Sequence, residues 1–136
     1  MTKKDRQLIF DKYDGRCAYC GCELTKGWHV DEIEPVRRNM VWDAVKRKYV
    51  PHKEHPYTHP ERLHIDNQNP ACASCNINKH SGSVEEFRNL IAGFKKHLNE
   101  INTQYKISKR YGLVVEMEKP VVFYFESVHP SPTKDV

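Results

Sequence analysis

The chain predicts a small α+β fold on three observations. Apolar residues recur at spacings of three and four from Val84 to Ile101, short β-rich runs occupy 28–33 and 120–126, and two Cys-x-x-Cys pairs, Cys17/Cys20 and Cys72/Cys75, lie far apart. At 136 residues with 38% hydrophobic content, the length suits one domain with a modest core that a cross-link would reinforce. That domain is expected over 1–126, with 127–136, including Pro130-Ser131-Pro132, as a frayed tail.

Leu8, Ile9, Phe10 and Tyr13 among charges predict a short amphipathic helix over 3–13, stopped by Asp14-Gly15. Gly21, directly after Cys20, permits a tight backbone turn. The run 28–33 reads as a short strand ended by Pro35. From 39 to 60 the sequence predicts an irregular loop, with Pro51, Pro56 and Pro60 interleaved with His52, His55 and His59. Those histidines invite a metal reading. The prolines, and the lack of a cysteine partner, favour an extended insertion lying on DNA or in solvent.

Ser83-Val84-Glu85-Glu86 is a capping-box pattern that opens a helical extension over about 83–112. Val84, Phe87, Leu90, Ile91, Phe94, Leu98 and Ile101 form a stripe that faces a core. A further short helix over 104–111 stops at Gly112, and Val121-Val122-Phe123-Tyr124-Phe125 reads as a terminal strand.

Four thiolates fill the tetrahedral shell of one Zn2+, so the two cysteine pairs predict a structural zinc site that pins together segments 51 residues apart. Disulfides or a redox dithiol are the competing readings. Five cysteines and no apolar opening segment favour reduced thiols and a cytoplasmic setting. Cys22 is the spare thiol, although it could replace Cys20 as a ligand. No apolar run is long enough to cross a membrane.

The net charge is only +4, so its distribution matters more than its sum. Within 36–53, Arg37, Arg38, Lys46, Arg47, Lys48 and Lys53 stand against Asp43 alone. A second basic block, 76–112, contains Lys79, Arg88, Lys95, Lys96, Lys106, Lys109 and Arg110. Taken alone, each block is a solvated face. Beside the cysteines and the Asp/Asn cluster they suit a phosphate backbone, and hence DNA.

Asp31-Glu32-Ile33, Asp66-Asn67, and Cys72-Ala73-Ser74-Cys75-Asn76 through Lys79 together resemble the HNH endonucleases, of the type common in bacteriophage genomes. The resemblance extends through Val84-Glu85-Glu86-Phe87-Arg88 to Glu126 and covers residues 17 to about 126. It implies a ββα-metal finger over about 15–80, stapled by the structural zinc, with flanking helices and a C-terminal strand. It also implies one catalytic Mg2+ or Mn2+ held against the scissile phosphate. By this resemblance Asp31 and Asn76 are the oxygen ligands of that ion, Asn67 braces the loop and orients the general base, and Lys79, Arg37 and Arg38 hold phosphates.

Glu32 occupies the position where that family has its general-base histidine. Imidazole suits proton abstraction at neutral pH, whereas an exposed carboxylate is a weaker base unless its surroundings raise its pKa. Glu32 therefore acts as a raised-pKa base, joins Asp31 on the metal, or marks an altered, silenced site; the sequence leaves all three open. His29, on the same strand face as Asp31, and His80, four residues beyond Asn76, are substitutes for the missing imidazole or further ligands. A phosphate-contacting or merely exposed role competes for both.

The expected activity is metal-dependent hydrolysis of DNA phosphodiester bonds, nicking or cutting with little sequence preference. The resemblance alone adds a phage setting in the host cytoplasm, with terminase or other packaging proteins as partners. The alternative is a catalytically impaired zinc module of the same fold that binds DNA or a packaging protein. Structured RNA is a weaker third substrate class.

Overall fold

The computed structural model describes residues 1–128, so of the tail expected over 127–136 only Ser127 and Val128 are described, and both belong to a helical turn and its cap; the rest, with Pro130-Ser131-Pro132, lies outside the described residues. Helix α1, Lys3–Asp11, is opened by a reciprocal capping box between Thr2 and Asp5, and it buries Ile9. The chain then reverses at Asp14 and Gly15, both in the left-handed region, and enters the first cysteine knuckle. There Gly21 has φ +76° and donates its N–H to Cys17 O, closing the turn as its position predicted.

Strand β1, His29–Glu32, pairs antiparallel with a strand almost forty residues later, and the intervening chain makes its own hairpin, β2 (Met40–Asp43) and β3 (Lys48–Pro51). The expectation of an irregular loop over 39–60 is therefore corrected. Asp43 accepts hydrogen bonds from the N–H groups of Val45 and Lys46, which shapes a four-residue turn. Asn39 locks the hairpin base to the following loop through His52, His55, Pro56 and Thr58. The β-branched and aromatic strand residues, Val41, Trp42, Tyr49 and Val50, suit this pairing.

β4, Gln68–Ala71, closes against β1 with Asp31 opposite Asn69 and Glu32 opposite Gln68. Cys72 caps the helix that follows, α2, Ala73–Lys79, and its Sγ accepts from Cys75 N–H. Two antiparallel strands and a helix thus form the centre of a mixed α+β domain.

The apolar stripe of 84–101 does not produce one helix. It breaks at Gly93 into α3, Val84–Ala92, and α4, Phe94–Ile101, because glycine is a poor helix interior residue. Ser83 Oγ caps α3 by accepting from Glu86 N–H, but the return bond expected of a capping box does not form. Within α3 the stripe reaches the core through buried Phe87 with Val84 and Ile91 packed beside it, whereas Leu90, Phe94 and Ile101 are exposed. α5, Thr103–Arg110, ends near Gly112, where the sequence placed the stop.

The expected terminal strand is also corrected. Residues 120–123 are extended without a strand partner, and Tyr124–Ser127 forms one helical turn, α6. The apolar run works as a plug. Phe123 is buried and stacks on Phe87 at 5.3 Å between ring centres, with Tyr19 edge-on to both. Glu126 accepts from Phe123 N–H, and Tyr124 and Phe125 donate their N–H groups to Tyr19 O and Ala18 O of the knuckle. The core is therefore Cys17, Tyr19, Ala71, Phe87 and Phe123, built directly under the cysteines. Among the described residues, no helix is long and apolar enough to cross a membrane.

Candidate functional site

The thiols of Cys17, Cys20, Cys72 and Cys75 lie within 4.8 Å of one another. A tetrahedral zinc with bonds of about 2.3 Å requires sulfurs about 3.8 Å apart, and Cys20 Sγ and Cys72 Sγ are separated by 3.8 Å. That separation is far too long for a disulfide and right for two ligands of one ion. Hydrogen bonding from the Cys75 thiol, helped by backbone amides of Cys72 and Cys20, holds Cys17 down at about 4, so thiolate is favoured inside the cluster. Cys22 is exposed and outside the group of four, in accord with a spare thiol, and burial pushes it up to about 12.

The ends of β1 and α2 border an open cavity of about 440 Å3, lined by Asp31, Glu32, Pro35, Val36, Arg37, Asn76 and His80. Asp31 and Glu32 are thereby brought together with Asn76, distant from them in sequence. Strand pairing with β4 fixes Asp31 and Glu32, and the Cys72 cap orients the helix that presents Asn76.

Asp31 is held from beneath. Its Oδ2 accepts from the Tyr19 hydroxyl and from Lys79 Nζ at 3.0 Å, while Oδ1 has no hydrogen-bond partner among the described residues. Burial pushes the Asp31 carboxyl above its ordinary value, opposed by Tyr19 and Lys79. Burial likewise raises Glu32, reinforced by the neighbouring Asp31 and opposed by Lys79 and Arg38. A carboxylate whose pKa is raised is a stronger base than one in water.

Lys79 requires correction. Its side chain is 1% exposed, and its ammonium donates to Glu32 O, Gly82 O and Asp31. It has no reach to a phosphate. All three of its donors are spent inside the protein, since a buried ammonium is stable only when fully partnered. Part of the wider basic block is also paired internally: Arg88 pairs with Glu85 and Glu126, Lys95 with Glu118, and Lys109 with Glu116, whereas Lys96, Lys106 and Arg110 make no ion pair among the described residues. Arg37, Arg38, Lys46, Arg47, Lys48 and Lys53 likewise make no ion pair among the described residues.

Asn67 is buried away from the cavity. Its side chain accepts from Glu34 N–H and donates to Glu34 O and Arg62 O, clamping the backbone two residues past Glu32. His29 is exposed on β1 and does not line the cavity. His80 does line it, and its backbone is unusual: φ 54°, ψ −135°, in a turn closed by Gly82 N–H to Lys79 O. Glycine is the residue that normally takes this conformation. Among the described residues the histidines of 52–59 form no metal cluster. His52 and His55 stack, and His52 Nδ1 accepts from the Glu54 and His55 amides.

Two supports escaped the sequence reading. Tyr19 sits between two cysteines, and a buried tyrosine needs a hydroxyl partner, which Asp31 supplies. Asn69, fully buried opposite Asp31, has no hydrogen bond to protein for its side-chain amide, and nothing in the sequence marks it. Comparison with known proteins found no matching family model, no matching curated protein and no matching solved structure.

Proposed function

We propose that the chain is a metal-dependent HNH endonuclease that hydrolyses DNA phosphodiester bonds with little sequence preference. The observation that carries this reading is the convergence of Asp31, Glu32 and Asn76 on one open cavity, together with Arg37, which makes no ion pair among the described residues, and with Asn76 directly following a cysteine of the four-cysteine cluster. The β1–β4–α2 arrangement is the order of elements that the HNH resemblance implies.

Asp31 Oδ1 and the Asn76 amide oxygen are hard donors of the kind that suit Mg2+ or Mn2+. When bound there, such an ion supplies positive charge to the phosphoryl oxygens and the leaving 3′-oxygen. Tyr19 and Lys79 hold Asp31 in one orientation by occupying its other oxygen. Glu32, raised by burial, takes the proton from the attacking water. Asn67 fixes the backbone that carries Glu32, and Arg37 and Arg38 hold the flanking phosphates. A phage setting, with a role in DNA packaging in the host cytoplasm, rests on the resemblance alone.

The buried Asp31–Lys79 pair favours one second reading. A carboxylate already neutralised by a lysine binds a cation less well, and with Glu32 in the base position this fits an impaired module that binds DNA or a packaging protein. Supercoiled-plasmid cleavage with Mg2+ or Mn2+ separates the two. The nuclease reading expects weak cleavage by the chain, loss in Asp31→Ala and Asn76→Ala, and a gain in Glu32→His, because a well-placed base contributes about 10^2–10^4 in rate. Cleavage by neither the chain nor Glu32→His, with zinc present and DNA bound, favours the binding module.

A further inference from the structure

The β2–β3 hairpin displays more than the core can use. Trp42 and Tyr49 face each other across its strands, rings 5.2 Å apart, yet they are 56% and 65% exposed. Val45 at the turn is 92% exposed. A lone two-stranded ribbon is marginal in water, but this one is braced by the Asn39 and Asp43 hydrogen bonds at its base and turn. The result is a fixed arm presenting an aromatic pair among Arg38, Lys46, Arg47, Lys48 and Lys53, none of them in an ion pair among the described residues. Asp43 is the one acid within the hairpin, and its carboxylate is engaged by turn amides.

Unpaired cations select a polyanion, and exposed aromatic faces among them select one that carries flat apolar groups. In a duplex those groups are stacked on each other, whereas in a single strand they are free to stack on an aromatic side chain. We propose that the hairpin binds unpaired nucleotides, with Trp42 and Tyr49 stacking on bases and the cations of the turn and strands on the flanking phosphates. The proposal rests on the nucleic-acid reading above and specifies its substrate: DNA with a single-stranded stretch beside the site of cleavage.

The chain has two tryptophans, and Trp28 is engaged by Phe10 and Arg6. A Trp28→Phe variant therefore leaves Trp42 as the sole indole reporter. Titrated with oligothymidylate, its fluorescence should quench saturably, and anionic lipid vesicles should produce no such change. In the chain with Trp28 intact, Trp42→Ala should weaken oligothymidylate binding about tenfold or more, the loss of about 1–3 kcal/mol per stacked base. Affinity for a blunt duplex should stay within about twofold, Trp42→Phe should recover part of the loss, and zinc content should be unchanged. Equal losses on both DNA forms, no loss on either, or an equal response to vesicles would overturn the proposal while leaving the nuclease reading intact. A parent chain that binds no DNA would sink both.

Discussion

Replacing Lys79 by methionine tests whether the candidate site is held from within. The side chain has almost no solvent contact, so its three donated interactions, to Asp31 at 3.0 Å, Glu32 O at 2.8 Å and Gly82 O at 2.9 Å, have no water to replace them. Methionine fills the same space and leaves two carbonyls and a buried carboxylate short of a partner. Breaking a buried pair from one side costs about 3–5 kcal/mol, a large share of the 5–15 kcal/mol typical of a domain. For a chain of this size that lowers the thermal midpoint by roughly 10–20 °C. The assay is urea and thermal unfolding of the zinc-loaded protein. Adding Asp31→Asn should restore part of the loss, with a coupling of about 1–3 kcal/mol, because the neutral amide no longer needs the ammonium. A Lys79→Met chain within about 0.5 kcal/mol of the parent, but weakened in DNA binding, would show that Lys79 serves phosphates and that the interior reading is wrong.

Metal analysis should find about one zinc per chain, and serine at Cys17, Cys20, Cys72 or Cys75 should prevent folding, since structural zinc supplies on the order of 10 kcal/mol. Cys22→Ser should leave zinc content and melting unchanged; a folded, reduced sample free of metal would contradict the site. Glu116, which accepts from Asn99, Tyr105 and Lys109, is held down at about 2 chiefly by those hydrogen bonds. A depressed carboxyl stabilises the folded chain above its unfolded value of 4.5, and that contribution is lost as pH falls toward 2. NMR of the Glu116 side-chain carbon should thus show it still ionised at pH 4 in the folded protein, and a midpoint near 4.5 would refute the network. His80→Gly relieves a left-handed backbone and should raise stability by up to about 1 kcal/mol, while plasmid cleavage falls if the imidazole serves the cavity; a loss of stability would mean that the turn is not strained.

The centre of the fold was legible because its residues carry chemistry at fixed spacing. The cysteine pairs come together and the strand before Pro35 appears where the sequence put it, while the helix after Cys72 follows the ββα order that the resemblance implied, its cysteine cap unforeseen. Misreadings arose where one residue type serves two physical ends. Prolines and histidines over 51–60 hid the β2–β3 pairing, which depends on Val41, Trp42, Tyr49 and Val50 just before them. Phe123 has strand propensity, yet its burial in the core outweighed it. Lys79 sits where a phosphate ligand was expected, and only three-dimensional proximity to Asp31, Glu32 and Gly82 reveals an internal tie. Tyr19 and Asn69 are supports that no spacing rule could single out.

The seating of Phe123 beneath the cysteine knuckle also gives the fold an order in time. Synthesis delivers the first cysteine pair early, the second pair some fifty residues later, and the phenylalanine that completes their shared floor after every other core residue. Until Phe123 arrives, Tyr19 and Phe87 lack the ring on which both pack, a deficit comparable to a Phe→Ala truncation of about 3–5 kcal/mol. Tyr19 is also the residue that steadies Asp31. A nascent chain can thus gather its thiols before the Asp31 carboxylate is firmly held, so the acidic cavity takes its final shape after the four cysteines can meet.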